Sequence, residues 1–557
     1  MKKSVLSLIA CAVTSLVMAQ APAFPGAEGH GRYVTGGRGG TVRHVTNLSG
    51  KDIEGSFRRA VGYANSIVVF DVAGVIELEA DVTFKDNITI LGQTAPAPGI
   101  TLRYRTIQPG NNNIIRFIRI RRGEEKNIND GADAIWQRQK HDIILDHCSF
   151  SWSIDEVASF YDNRNFTMQW CSVAEALANP GHTKGEHCYG GIWGGKQASF
   201  HHNMIAHVQN RAPRLNGARY GWQGYDKTKY ANTIEAEIVD LRNCVMYNWG
   251  QGNGAYGGMG GYHNIVNNYY KAGPATKNKT RVFQCGHTTG KDDDGGKAID
   301  PDKKFIWGHF YINGNYVAAA STPENYDWKG VSVDDGDATT KDTIKLAAPV
   351  STGDITTHTA QMAFERVLQN VGASLYRDAV DSRHMEEAKN GTTTYTGSAT
   401  KQGNGSTITH QPGIIDFVKD QGTYTLETAT RPEGFDTDGD GIPNDWEIAN
   451  GLNPDDASDG NLKTLDTEKG WYTNLEVYAN SLVEDIMKAG NAGGESNFTE
   501  YYPTSKSTGI TATRTAAIQA TEYYDLNGRR LTSPLSGVNI RVERMADGRT
   551  VTTKVIK

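Results

Sequence analysis

Asn113-Ile114-Ile115-Arg116-Phe117, His141-Asp142-Ile143-Ile144-Leu145 and Asn165-Phe166-Thr167-Met168 are three short β-rich runs that follow one another along the chain, and they do not stand alone. Upstream lie Ile67-Val68-Val69-Phe70 and Asn87-Ile88-Thr89-Ile90. Downstream lie Ala198-Ser199-Phe200-His201-His202-Asn203, Glu237-Ile238-Val239-Asp240-Leu241, His263-Asn264-Ile265-Val266-Asn267-Asn268 and Phe305-Ile306-Trp307-Gly308-His309-Phe310. Several successive starts are roughly 22–26 residues apart, and many runs end in polar or Asn-containing turns; such spacing is the mark of a solenoid. One short strand cannot bury its inward face alone, so stacked parallel rungs must share a core. A propeller needs a longer repeat with four strands per blade, and a sandwich needs hairpin signals that are scarce here.

Composition agrees with a turn-rich all-β protein. Of 557 residues, 62 are Gly and 17 Pro, apolar residues make up 38 %, and the formal charge of −6 excludes a polycation built for nucleic acid. An anionic ligand would have to meet a local basic groove. Lys2 and Lys3 precede a largely apolar run from Val5 to Val17, and Val17-Met18-Ala19 offers small residues for cleavage. Residues 1–19 therefore read as a signal peptide, with the mature chain starting near Gln20. Leu8-Ile9-Ala10-Cys11 also fits a lipoprotein box, ranked second. No later segment is long and apolar enough to span a bilayer. A secreted or cell-surface monomer is expected. Cys148, Cys171, Cys188, Cys244 and Cys285 then remain, an odd and sparse set that suits neither a disulfide framework nor zinc.

Residues 20–430 read as the solenoid with covering segments. Ala360 to Val371 has the period of a short amphipathic helix. Residues 434–485 form a distinct unit. There Asp436, Asp438, Asp440, Gly441, Asn444 and Glu447 fit D-x-[DN]-x-[DN]-G-x5-E in full. Asp436, Asp438, Asp440 and Glu447 supply side-chain oxygens, Ile442 a backbone carbonyl and Asn444 the ninth position. The calcium is expected to be structural, because no basic or aromatic groove is evident beside it. Residues 486–519 read as a linker, and 520–557 as a small C-terminal β module around the turn signals Asn527-Gly528 and Asp547-Gly548.

The densest polar constellation spans 130–216. It holds Asp133, Asp146-His147, Asp155-Glu156, Lys184 and His187 in a Gly-rich loop, and Arg211 and Arg214 around Ala212-Pro213. With about two dozen residues per coil, Asp133 and Asp155 fall one rung apart on one face. Stacked carboxylates repel unless a cation lies between them, and oxygen-only ligands favour calcium over zinc. Asp146-His147 is read as a rung-end pair, and His201 and His202 as structural.

Asp133-Ala134-Ile135, Asp146-His147-Cys148-Ser149-Phe150, Phe200-His201-His202-Asn203 and Asn210-Arg211-Ala212-Pro213-Arg214, in this order, resemble the pectate lyase superfamily. So do Phe24-Pro25-Gly26-Ala27-Glu28-Gly29, Gly55-Ser56-Phe57-Arg58 and Gly92-Gln93-Thr94-Ala95-Pro96. The resemblance covers roughly residues 22–390. It implies a right-handed parallel β-helix that cleaves polygalacturonate, the pectin backbone, by calcium-assisted β-elimination. By that resemblance Asp133 and Asp155 are Ca²⁺ ligands, Arg211 is the catalytic arginine, and Lys184 and Arg214 bind substrate. Two positions depart from the pattern. A ligand four residues after Asp155 is Ser159 here, leaving Glu156 or Asp162 to compensate, and a second substrate arginine is Asn216. The 434–485 unit, continuing into Asn453-Pro454-Asp455-Asp456, is similar to thrombospondin type 3 calcium repeats. Tyr524-Asp525-Leu526-Asn527-Gly528-Arg529-Arg530-Leu531 and Lys554-Val555-Ile556-Lys557 resemble the C-terminal sorting domain of Bacteroidetes type IX secretion, which makes secretion machinery a partner. A carbohydrate-binding β module is the alternative. The rival functions are a β-helix polygalacturonase-type hydrolase, which would need paired acids, and a non-catalytic pectin-binding protein.

Overall fold

Val68, Ile90, Ile115, Leu145, Met168, Phe200, Leu241, Ile265 and Ile312 stand in one continuous register, each paired in parallel with the next. All nine are buried. In this computed structural model the apolar period of the sequence becomes a vertical stack at the centre of a right-handed parallel β-helix. The structure describes residues 20–126, 130–220, 222–250, 252, 254–288, 305–402, 404–503, 518–525, 529–533, 538–545 and 550–556. The signal-peptide reading and both C-terminal turn signals lie outside these residues.

Each coil contributes to three columns of strands. The first holds the register stack, in strands such as Ser66–Phe70, Asn113–Arg116, His141–Asp146 and Ile238–Arg242. The second runs through Val82–Thr83, Ile107–Gln108, Ile135–Arg138, Arg214–Leu215, Tyr256–Gly257, Phe283–Cys285 and Val331–Val333. The third is a 10-stranded sheet that includes Arg119–Arg121, Ser149–Ser151, Ser172–Ala174 and Met204–Ala206. Ala158–Gln169 and Ile192–His201 pass the bend between the second and first columns without a break. They fuse those two columns into a 17-stranded sheet. The return from the third column to the second is where loops of varied length are inserted.

The corners have their own stacks. Phe117, His147, Trp170 and His202 turn the chain from the first column to the third at φ of 49° to 54°. A left-handed backbone costs an L-residue about 1–2 kcal/mol. Ring stacking offsets it: Phe117 on His147 at 4.8 Å, His147 on Trp170 at 5.8 Å, Trp170 on His202 at 4.3 Å. At the opposite corner Asn112 donates to Asn87 and Asn87 to Asn65, both at 2.8 Å. The Asp146–His147 pair (2.7 Å) is a buried rung-end pair as expected, held also by Arg116 at 2.8 Å. The five cysteines among the described residues are free and buried.

Helices Ala360–Asn370 and Ala379–Asn390 cover the third column, burying Val367, Val371, Met385 and Ala388 against Met204, Ala206, Val245 and Tyr247. Helices Asn474–Ser481 and Glu484–Asn491 cover the first column. The linker expected from 486 therefore begins differently: its first residues are helical, and Met487 is buried beside Ile114 and Phe117. Residues 1–504 form one unit and 505–557 another, the latter a four-stranded antiparallel sheet. Among the described residues no helix is long and apolar enough to cross a membrane.

Candidate active site

The inserted loops bring one edge of four successive rungs together. Ile135 pairs with Ala158, so Asp133 and Glu156 align one coil apart; the Glu156 amide donates to Asp133 Oδ1 at 3.1 Å. Glu156 bridges in parallel to Tyr189, and Tyr189 to Asn210. Thus Asp133, Asp155-Glu156, Tyr189 and Arg211 occupy equivalent places where third-column strands return to the second.

Carboxylate oxygens of Asp133, Asp155 and Glu156 lie within 4.8 Å of one another. Asp155 Oδ1 is buried with no hydrogen-bond partner. Burial, and then the adjacent Asp155 charge, push the Asp133 carboxyl well above its usual range, against the pull of Arg211, Arg122 and the Ser159 hydroxyl. A crowded, half-buried set of carboxylate oxygens suits a hard divalent cation, which would relieve the repulsion that burial intensifies. The donor set therefore fits calcium.

Ser159, where the pattern expected a carboxylate, is buried; its Oγ accepts from the Ile192 amide at 3.1 Å. Asp162 does not compensate, because it is buried in an ion pair with Lys196. Glu156 is the third carboxylate of the cluster, and it also ion-pairs with Arg211 Nη1.

Arg211 has φ 55°, its amide donates to Asn210 Oδ1 at 2.8 Å, and its guanidinium lies 4.3 Å from the Tyr189 ring centroid. A left-handed non-glycine residue at a cluster of charges is strain held in place by its surroundings. Three residues on, Arg214 pairs with Ile192 along the strand and has its guanidinium 5.7 Å from the Tyr256 ring. Lys184 is exposed on the 181–187 loop, its amide bonded to His182 Nδ1 at 3.1 Å. At Asn216, Oδ1 accepts from Arg219 Nε at 2.7 Å, so a guanidinium approaches where the expected arginine is absent.

Three neighbours had no role assigned from sequence, although His187 stood in the polar constellation. His182 and His187 stack at 3.7 Å and, with Asp155, place ligand atoms within 4.8 Å of one another. Burial, and then His187, lower the His182 pKa. Tyr189 is the third. The signal for His182 and His187 was their sharing one Gly-rich loop; Tyr189 follows Glu156 by a coil lengthened by that inserted loop, and only the bridge between them shows the alignment.

The second acidic cluster lies far along the chain. Asp436, Asp438 and Asp440 come within 4.8 Å of one another, and so do Asp440, Glu447 and Asp459. Ile442 is buried, and its amide donates to Asp440 Oδ1 at 2.8 Å. Asn444 differs from expectation. Its Oδ1 accepts from the Thr437 amide at 2.8 Å, and its Nδ2 donates to Gly434 O at 3.0 Å and to Thr437 Oγ1 at 2.6 Å, so it braces the loop.

No family model matches the chain. A probable pectate lyase C of Emericella nidulans is 33 % identical over 469 residues, covering 83 % of this chain and 93 % of the relative. One of Aspergillus flavus is 32 % identical over 494 residues, covering 86 % and 98 %. Among solved structures, a pectate lyase from Paenibacillus sp. matches with TM-score 0.38 and 11 % identity over 65 % of this chain and 98 % of that one. With identity of this order sustained over nearly the whole length of its relatives, the chain belongs to the pectate lyase family.

Proposed function

We propose that the protein cleaves polygalacturonate by β-elimination at the edge formed by Asp133, Asp155, Glu156 and Arg211. The observation that carries this reading is the Arg211 guanidinium lodged between Glu156 and the Tyr189 ring, next to the crowded carboxylates of Asp133 and Asp155. Galacturonate has its C5 proton α to a carboxylate, and removing it builds a dianion that must be neutralised. Calcium, when held by Asp133 and Asp155 with Glu156 beside them, supplies neutralisation of the uronate carboxylate. Arg211, acting as the neutral guanidine, takes the C5 proton and becomes guanidinium. The C5–H electron pair forms the C4–C5 double bond, the C4–O4 bond breaks, and O4 leaves with its electrons to be protonated. A guanidinium is a poor base in water; the rigid backbone at Arg211 and its fixed place over Tyr189 hold its nitrogens at one point. Lys184 and Arg214, with Arg219 beside Asn216, supply cationic contacts for neighbouring uronates. The chain is read as secreted, with 520–557 as a sorting module; the separate antiparallel sheet there fits a small β module.

Turnover and pectate binding of Arg211→Ala test this assignment. A loss of kcat of about 10²–10⁴-fold, the range for a lost proton-transfer group, with KM changed only a few-fold, is expected. A near-normal kcat would remove Arg211 from the chemistry.

A further inference from the structure

We infer that Asp436, Asp438, Asp440, Glu447 and Asp459 form a single site for one divalent cation, calcium by its ligand chemistry. Two separate loops build it, and it clamps the C-terminal cover to the first rungs of the β-helix. Its role is distinct from the pectate-cleaving edge.

Three of the aspartates divide their oxygens alike, while Asp436 accepts the Gly439 and Gly441 amides through Oδ1 and Oδ2 at 2.8 and 2.9 Å. Asp438 Oδ1 accepts from the Asp440 amide at 3.2 Å, Asp440 Oδ1 from the Ile442 amide at 2.8 Å, and Asp459 Oδ2 from the Asn453 amide at 2.9 Å. The other oxygen of each, Asp438 Oδ2, Asp440 Oδ2 and Asp459 Oδ1, is buried with no partner. Glu447 is 0 % exposed, and neither of its oxygens has a partner. Five buried carboxylate oxygens are therefore turned toward one another without a donor. An unpaired buried charge costs several kcal/mol, and among the described residues no lysine or arginine pairs with these five oxygens. A hard cation that takes six to eight oxygens, with a bidentate glutamate, answers this arrangement. An all-oxygen set disfavours zinc.

Asp459 is the new ligand. It belongs to the turn after the motif, and it takes the part that Asn444, turned into its own loop, does not. The following residue agrees: a Cβ on Gly460 would lie 2.1 Å from Asp440 Oδ2, so a larger residue there would displace the Asp440 carboxylate from the cluster. The first loop is seated on the β-helix. Ile442 packs with Ile67, Val69 and Leu91, and His44 Nε2 bonds Gly439 O at 3.1 Å while Nδ1 bonds Asp71 at 2.8 Å. One ion thus ties the 436–447 loop, the 453–460 turn and the first rungs together.

The test uses the full chain, with wild type, Glu447→Gln, Asp459→Asn and the exposed control Asp445→Asn, each melted in chelator and in calcium, with bound calcium counted by native mass spectrometry. Removing a charge from a metal-free acidic cluster lessens repulsion. Glu447→Gln and Asp459→Asn should therefore melt at or above wild type in chelator, yet below it in calcium, and each should lose one bound ion or bind it at least tenfold more weakly. Asp445→Asn should follow wild type. The crossing of the melting order would not arise from a merely structural carboxylate. If both variants keep the wild-type ion count and affinities, the site is overturned. If only Glu447→Gln loses the ion, the two-loop assignment through Asp459 is overturned. Should a variant fail to fold, wild type alone decides: calcium must protect the 434–503 segment from protease, and equal cleavage with and without calcium contradicts the clamp.

Discussion

At the scale of single residues, the site is a contest for Glu156. Its carboxylate is both a member of the acidic cluster and the partner of Arg211, whereas Asp133 faces the cluster and Asp155 stands between the cluster and the His182–His187 pair. Asp133→Ala and Asp155→Ala should therefore raise the calcium concentration needed for half-maximal activity by about tenfold or more, with much of the rate restored by excess calcium; each removes one ligand and about 1–3 kcal/mol of charge-assisted contact. An unchanged calcium requirement in both, measured by initial rate against free calcium, would place the metal elsewhere. Asp133, Asp155 and Arg211 were legible because chemistry needs those residue types and the coil length stacks them. Glu156 was ambiguous, since a carboxylate beside a carboxylate declares no direction. Ser159 read as a gap but is a hydroxyl that serves the Ile192 amide. Asp459 stayed hidden because it lies outside the loop pattern and only the fold brings it to Glu447.

At the scale of elements, the helix Ala379–Asn390 shows how a cover is pinned by charge to a wall of strands. Arg121 meets Asp378 at 2.7 Å and Asp381 at 2.9 Å, Arg383 meets Glu175 at 2.8 Å, and Glu387 meets His207 at 2.9 Å. Burial alone would raise the Asp378 and Glu387 carboxyls; Arg121 and Arg119 hold the first at about 2, and His207 and Arg383, with Thr394, the second at about 2. In the unfolded chain such groups take up protons near pH 4. The folded state binds those protons later, so their stabilisation is complete above about pH 4 and is lost as pH falls toward 2. Glu387→Gln should lower the melting temperature at pH 7, by up to ~2–3 kcal/mol of stability, and the gap to wild type should close as pH drops from about 4. A gap independent of pH would show that packing, not charge, holds this helix. The helix over 360–370 was legible from its apolar period. The unbroken strand Ala158–Gln169 was not, because Asp162-Asn163-Arg164-Asn165 has the composition of a loop; Lys196 pairing with Asp162 and the Asn163 side-chain Nδ2 donating to Gln137 O keep it in the sheet.

For the whole molecule, stability and chemistry come from the same stacking rule. One register stack fills the core, and the same register sets Asp133, Glu156, Tyr189 and Arg211 along one edge. Phe200 is a keystone of the stack, 0 % exposed and packed face to face on Trp193 at 4.7 Å. Phe200→Ala should cost about 3–5 kcal/mol, seen as a lower denaturation midpoint; a cost under about 1 kcal/mol would mean that the core closes around the gap. The repeat was legible because every rung must bury the same face, whereas the left-handed corners at Phe117, His147 and Trp170 were not, since bulky side chains there are tolerated only through the rings above and below. The account stands or falls on the product. Polygalacturonate should be incubated with the full chain in calcium and in chelator, with new reducing ends and ultraviolet absorbance followed together. One absorbing C4–C5 double bond for each new reducing end, abolished by chelator and restored by calcium, is the predicted result; reducing ends that appear without absorbance, or cleavage indifferent to chelator, would contradict it.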